Sequence, residues 1–194
     1  MTLIPAYLPP ISYFKSFINQ NEISFCKNTN YQKQTYRNRC VIFGANGKQN
    51  LTIPITKDEI KKGDKYVTFY NDINWQKNHW KSIESAYNSS PFFEYYKDDL
   101  KPFYIKKYKI LFDYNVKFMI HIFNILDLNI KVKEVDRMTN PTEINALLDP
   151  KKETVNFKYY SQVFDEKYEF QSDISIKDLI FNIGPESVDY IKSL

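Results

Sequence analysis

The sequence predicts a mixed α and β protein (α+β or α/β), with a small mixed or antiparallel sheet covered by helices. Three observations carry that expectation. Short alternating apolar runs bounded by turn residues, such as 23–27 and 40–43, read as strands. Longer stretches with apolar residues three and four apart, above all 75–87 and 108–126, read as helices. The 194 residues are 43% apolar and 17% aromatic, enough to build a real core as one domain spanning 1–194.

In chain order, residues 2–7 read as a short strand ended by Pro9-Pro10. Pro10 suits the first turn of a helix, where its missing N–H has no intrahelical partner. Residues 11–19 continue that helix, with Tyr13, Phe14, Phe17 and Ile18 inward, and 23–27 form a second strand. A polar loop, 28–39, leads into strand 40–43, a turn at 44–47 and a return strand at 51–55. Asn46-Gly47 signals a hairpin because both residues tolerate positive φ. Pro54 cannot donate to a ladder, so it ends the return strand or puts it at an edge. Residues 56–64 read as a charged surface loop and 66–70 as another short strand.

The segment 74–87 is the centre of the pattern. It holds both tryptophans and one of the two histidines. Asn74 is a good N-cap; Trp75, His79, Ile83 and Ala86 or Tyr87 share one face, and Trp80, Ile83 and Tyr87 an adjoining stripe. Pro91 stops the helix, because it biases Ser90 out of the α region, and Phe92, Phe93, Tyr95 and Tyr96 restart it. Residues 108–126 form a long helix with a narrow polar strip, hence buried on most of its girth; His121 beside its core stripe reads as a hydrogen-bonded structural histidine. Residues 129–135 alternate like a strand of undefined partner. The segment 136–158 reads as loop with a short helix at 142–148; 175–183 is a helix broken by Gly184-Pro185, and 186–194 closes the chain.

Several chemistries are excluded. The four glycines, Gly44, Gly47, Gly63 and Gly184, cannot make a glycine-rich phosphate loop, and no nucleophile elbow or zinc-protease helix occurs. Cys26 and Cys40 are too few for a disulfide framework and too scattered from the histidines for zinc, so no metal is expected. Pairing of either with His79 as a Cys–His hydrolase has no support in spacing. The N-terminus lacks the pattern of a signal peptide and no stretch is apolar enough to span a membrane, which points to the cytoplasm. No lysine run is long enough for a nucleic-acid arm at a net charge of +4.

The richest candidate is the loop carrying Asn30, Tyr31, Lys33, Arg37, Asn38 and Arg39. Two of the three arginines fall here, in a chain that otherwise uses lysine. The planar guanidinium fork grips carboxylate or phosphate in bidentate fashion, so this loop is expected to bind an anion. The alternative is that one arginine pairs with a buried carboxylate and Asn38 caps a turn. Tyr13, Tyr31 and Tyr87 are candidate polar tips of a pocket. His79, whose ordinary pKa suits proton transfer near neutrality, is the candidate general base, with a packed core histidine as the alternative.

The segments Tyr7-Leu8-Pro9-Pro10, NYQKQTYRNR, INWQKNHWKSIESAYNSSPFFEYY and the ending Phe181-Asn182-Ile183-Gly184-Pro185-Glu186 occur in that order. Together they resemble the WbqC-like protein family, most of all its short form common in the Bacteroidetes, over essentially the whole chain. The resemblance implies a bacterial protein found with genes for O-antigen and other surface-polysaccharide synthesis. Many members begin with His-Gln-Pro where this chain has Pro5-Ala6-Tyr7, so chemistry resting on that histidine does not transfer. The resulting expectation is a transferase that binds an anionic donor, a nucleotide sugar or acyl carrier, through Lys33, Arg37 and Arg39. His79 would act as base, with Tyr7, Tyr13 and Trp80 also lining the site; no cofactor is named. A non-catalytic metabolite-binding protein and an interaction module of a biosynthetic assembly are the alternatives.

Overall fold

The computed structural model describes residues 1–56, 60–70, 72–152 and 155–194. The class is mixed α and β, with two small sheets rather than one. In the first, β1 (Thr2–Leu3), β2 (Glu22–Cys26) and β5 (Lys131–Val135) run parallel in the order β1-β2-β5. In the second, β3 (Arg39–Gly44) and β4 (Gly47–Thr52) form an antiparallel hairpin. The antiparallel pairing expected from Asn46-Gly47 is this hairpin, where Gly47 takes a φ of 90° and Gly44 pairs with Gly47; the other antiparallel contacts among the described residues are single bridges.

Strand 129–135 finds its partner in β2, in register from Glu22 opposite Lys131 to Cys26 opposite Val135. Parallel strands need a crossover connection, and α1 (Ile11–Lys15) lies within the one between β1 and β2. β1 is one edge of this sheet and β5 the other. In β5, Lys131, Lys133 and Glu134 are exposed, the charged protection an unpaired edge requires.

Strand 2–7 is cut to two residues because the Tyr7 N–H leaves the ladder for the Tyr36 carbonyl, at 2.8 Å. The expected strand at 66–70 is instead a 3-10 turn, Asp64–Tyr66, followed by single bridges that tie Ile55 to Phe69 and Thr68 to Ile110. Those bridges also hold 108–110 extended, so the long helix starts only at Leu111. Of the charged loop expected at 56–64, residues 57–59 lie outside the described residues, as do 153–154 of the segment 136–158.

Helix α2 (Trp75–Tyr87) buries Trp75, His79, Trp80, Ile83, Ala86 and Tyr87 and leaves Lys77 and Lys81 in solvent. After α3 (Phe93–Leu100) and α4 (Pro102–Ile105), α5 (Leu111–Ile125) packs Phe118 face to face on Phe103, with ring centroids 4.1 Å apart. Helix α6 (Pro141–Leu147) precedes the long return to α7 (Ile176–Ile183), the innermost helix, and α8 (Ser187–Lys192) closes the chain. Ser175 caps α7 by accepting from the Lys177 N–H, and its own hydroxyl donates to the Leu8 carbonyl at 2.9 Å. Helix α7 ends at Gly184, with φ 51°; a Cβ built there lies 2.6 Å from the Phe92 ring. Only glycine allows both the turn and that approach.

Candidate functional site

The predicted loop is pinned at both ends of Tyr36: its N–H donates to the Leu148 carbonyl and its carbonyl accepts from Tyr7. The loop's side chains consequently face different environments, and its expected anion site does not form as one cluster. Asn30 and Lys33 are exposed. Arg37 is 2% exposed and its Nε lies 3.2 Å from Asp64 Oδ2, as an ion pair without hydrogen-bond alignment. Its Nη2 donates to Asn145 Oδ1 at 3.2 Å, and Tyr31 lies against its guanidinium, 5.7 Å from the ring centre. Burial pushes the Arg37 pKa down and the Asp64 pKa up, each partly offset by the other's charge. Arg37 is therefore neutralised inside the protein, in keeping with the alternative of a buried carboxylate partner. Asn38 donates to the Ile53 carbonyl at 2.8 Å and joins the loop to the end of the hairpin. Arg39, half-buried at the start of β3, opposes Thr52 and keeps a buried Nε without a partner among the described residues.

Of the residues predicted around His79, Tyr7 meets it, and it does so in the interior. His79 Nδ1 lies 3.0 Å from the Tyr7 hydroxyl, which lies 3.1 Å from the Tyr104 hydroxyl, to which Lys177 Nζ donates at 3.3 Å. With a charged amine at one end, the protons order along the line: Lys177 to Tyr104, Tyr104 to Tyr7, Tyr7 to His79. Burial, then the Lys177 charge, lowers the His79 pKa to about 4, so the ring is neutral at pH 7. Burial likewise lowers Lys177 to about 8 and raises Cys40 to about 11. Trp75 packs edge-on with His79, and Trp80 stacks with Phe93 and lies tilted against Tyr104. Tyr13 donates to the Ile4 carbonyl at 2.6 Å and Tyr87 accepts from the Phe43 N–H at 3.2 Å, so both are core tyrosines with engaged hydroxyls. Cys26 and Cys40 are free thiols in the interior.

Tyr36, a residue of the predicted polar loop, opens onto a cavity of about 120 Å³ between α1, β3 and α6. Its floor is apolar, with Pro10, Val41, Leu147 and Ile174. Its polar wall carries Tyr36, Lys48, Asp149, Lys152 and Asp173. Asp173 holds a left-handed backbone, φ 51°, and accepts from the Ser12 N–H through Oδ1 at 2.7 Å, which fixes the carboxylate at the start of α1. Burial raises its pKa, opposed first by the bonds from Ser12 and then by Lys152 and Lys48. Burial, then the Asp173 charge, pushes Tyr36 up to about 12. At Asp149 the cavity meets a wide depression of about 450 Å³ that carries Lys33, Gln34 and Lys151. Neither His79 nor Arg37 lines this cavity or the depression.

The sequence offered little warning of Asp173, since an Asp two residues before a helix reads as ordinary capping chemistry. Lys48, beside the hairpin turn, was a detectable signal: a basic residue flanking a fixed glycine turn is held on a rigid element. Among the described residues, no group of three or more His, Cys, Asp or Glu side chains is placed to hold a metal ion, and no helix is long and apolar enough to cross a membrane.

Comparison with known proteins gives two matches of different weight. A relative in Mycobacterium tuberculosis, the uncharacterized protein Rv1507c, is 24% identical over 217 aligned positions, covering 96% of this chain and 94% of that protein. No solved structure matches. The sequence model of the WbqC-like protein family matches residues 5–156, a span that includes the polar loop, the hairpin, α2 and the α6 wall of the cavity. On that match the chain belongs to the WbqC-like protein family.

Proposed function

We propose that this protein is a cytoplasmic transferase of bacterial surface-polysaccharide (O-antigen) synthesis that binds an activated, anionic donor in the Tyr36–Asp173 cavity. The observation that supports it most is the lining. An apolar floor with carboxylates and a phenol suits a sugar ring, whose faces are apolar and whose edges carry hydroxyls. Lys48 and Lys152 at the wall, with Lys33 and Lys151 across Asp149, suit the phosphates of a nucleotide sugar or of an acyl carrier's prosthetic arm. Lysine serves here as a point charge for phosphate.

In this reading Asp173 is the general base. Its Oδ1 is occupied by Ser12, and its raised pKa favours taking a proton more than an exposed carboxylate would. With a nucleotide sugar as donor, the acceptor's O–H proton passes to Asp173, the acceptor oxygen forms the new bond to the anomeric carbon, and the bond from that carbon to the donor phosphate oxygen breaks. The phosphate leaves with its electron pair, its charge held by the lysines. His79 is assigned to positioning: its neutral ring holds Tyr7, whose backbone N–H fixes Tyr36.

A second reading, a non-catalytic binding protein using the same cavity, is favoured by the absence of a nucleophilic Cys or a His from the cavity wall. Asp173→Asn separates the two. Turnover of the identified donor lost by about 100-fold or more with its affinity kept supports the transferase; equal binding with no turnover in the wild type supports the binding protein.

A further inference from the structure

A second, smaller cavity lies between the N-terminal segment, the predicted loop and α5, and it is independent of the donor cavity. Its lining joins Tyr31, Arg37, Asp64 and Asn115 with the apolar, buried Ile4 and Leu111. All four polar residues are at least nine-tenths buried. Each brings to it a buried polar atom without a hydrogen-bond partner among the described residues: the Tyr31 hydroxyl, Arg37 Nη1, Asp64 Oδ1 and Asn115 Oδ1. Other atoms of the same groups are engaged, although Arg37 Nε also lacks a hydrogen-bond partner among the described residues. Asn115 Nδ2 donates to the Arg37 carbonyl at 2.7 Å and to the Pro5 carbonyl at 3.3 Å, and Thr29 donates to Asp64 Oδ2.

Leaving four such atoms unpaired is costly, and native proteins fill such gaps with solvent. The charges of Arg37 and Asp64 cancel, so the guest is neutral. An anion would face Asp64 and Asn115 oxygens, and a cation would face the guanidinium. Two acceptors demand a guest with two donors, and Arg37 and Tyr31 supply two donors for it to accept. The space is about 10 Å³, roughly the size of one water.

We infer that this cavity is a binding site for one ordered water, which donates to Asp64 Oδ1 and Asn115 Oδ1 and accepts from Arg37 Nη1 and the Tyr31 hydroxyl. The water is the joint at which the loop, the 3-10 turn at Asp64–Tyr66 and α5 meet. Its removal would loosen the loop that carries Tyr36.

The test is a high-resolution crystal structure of the wild-type protein and of Tyr31→Phe, which changes no volume but one hydroxyl. A single spherical density peak within hydrogen-bond distance of all four atoms, retained on three in Tyr31→Phe, is the expected result. An empty cavity, direct pairing of the four atoms with one another, or elongated density from a bound organic hydroxyl would each overturn it. In solution, Asn115→Leu removes one acceptor and fills the space. It is expected to abolish the long-lived water NOE at the Arg37 guanidinium that the wild type shows; no such NOE in the wild type contradicts the assignment.

Discussion

Lys177 is a buried charge with no carboxylate partner among the described residues, and replacing it by methionine should stabilise the fold. The side chain is 0% exposed and its amine has one hydrogen-bond partner, the Tyr104 hydroxyl, with no carboxylate salt bridge among the described residues. It also sits in the first turn of α7, where the helix dipole disfavours a cation. The gap between its ordinary value of 10.5 and about 8 in the fold corresponds to about 3 kcal/mol of destabilisation while the amine stays charged. Below pH 8 native and unfolded chains both hold the proton, so the full penalty applies. Between 8 and 10.5 the unfolded chain binds more protons than the native one, and stability rises with pH. Lys177→Met removes the penalty and loses one hydrogen bond worth about 1 kcal/mol. The net is a gain of about 2 kcal/mol at pH 7, or about 4–8 °C in Tm for a chain of this size. Urea unfolding from pH 6 to 10 reads it directly: the variant's advantage should be full at pH 7 and largely gone by pH 10. A variant less stable than wild type at pH 7, by an amount independent of pH, would refute the reasoning and point to a partner for the amine.

The acid range should show two opposing groups. Asp178, raised to about 6 by burial despite bonds from Tyr160 and Gln162, makes the native state bind more protons than the unfolded one between about pH 4 and 6, so it lowers stability as pH rises. His79, lowered to about 4, does the reverse between about 4 and 6.5. Each spans about 3 kcal/mol, so relative to the wild type His79→Gln should lose stability and Asp178→Asn gain it from pH 4 to 6; parallel profiles in urea would contradict this. Gly184→Ala, forced against the Phe92 ring at positive φ, should cost about 2 kcal/mol or more, and Phe92→Ala should restore part of it, measured as a double-mutant cycle. Phe118→Ala, removing the ring stacked on Phe103, should cost about 3–5 kcal/mol by thermal unfolding; a cost near zero would mean α5 is not packed as described.

Helices were the legible part of this sequence. For α2 the apolar spacing and the Pro91 stop are local signals that act within a few residues; Asn74 stands at the N-cap position, but its side chain accepts no capping hydrogen bond. Parallel pairing was not legible: whether 129–135 joins 23–27 depends on contacts across more than a hundred positions. The polar loop shows the same limit within a candidate site. Two nearby arginines announce an anion, but Asp64, from a stretch that reads as surface, takes Arg37 inward. The Asp173 carboxylate meets Tyr36 only because α1 and the segment before α7 are bridged at Pro10 and Ser175. Lys177 and Asp178 alternate with apolar residues as an exposed face would, and nothing local marks them as buried.

The proposed donor site is the Tyr36–Asp173 cavity, which would receive a phosphate-bearing ligand. It is tested most directly by calorimetric titration of UDP- and dTDP-linked sugars into wild type, Lys48→Ala/Lys152→Ala and, as a charge-matched control, Lys131→Ala/Lys133→Ala on the β5 edge. Binding by wild type and by the control, weakened at least tenfold in the cavity variant (about 1.5–3 kcal/mol per charged hydrogen bond lost), is the predicted result. Equal affinities in all three proteins, or equal weakening in both variants, would place the anion elsewhere and contradict the account.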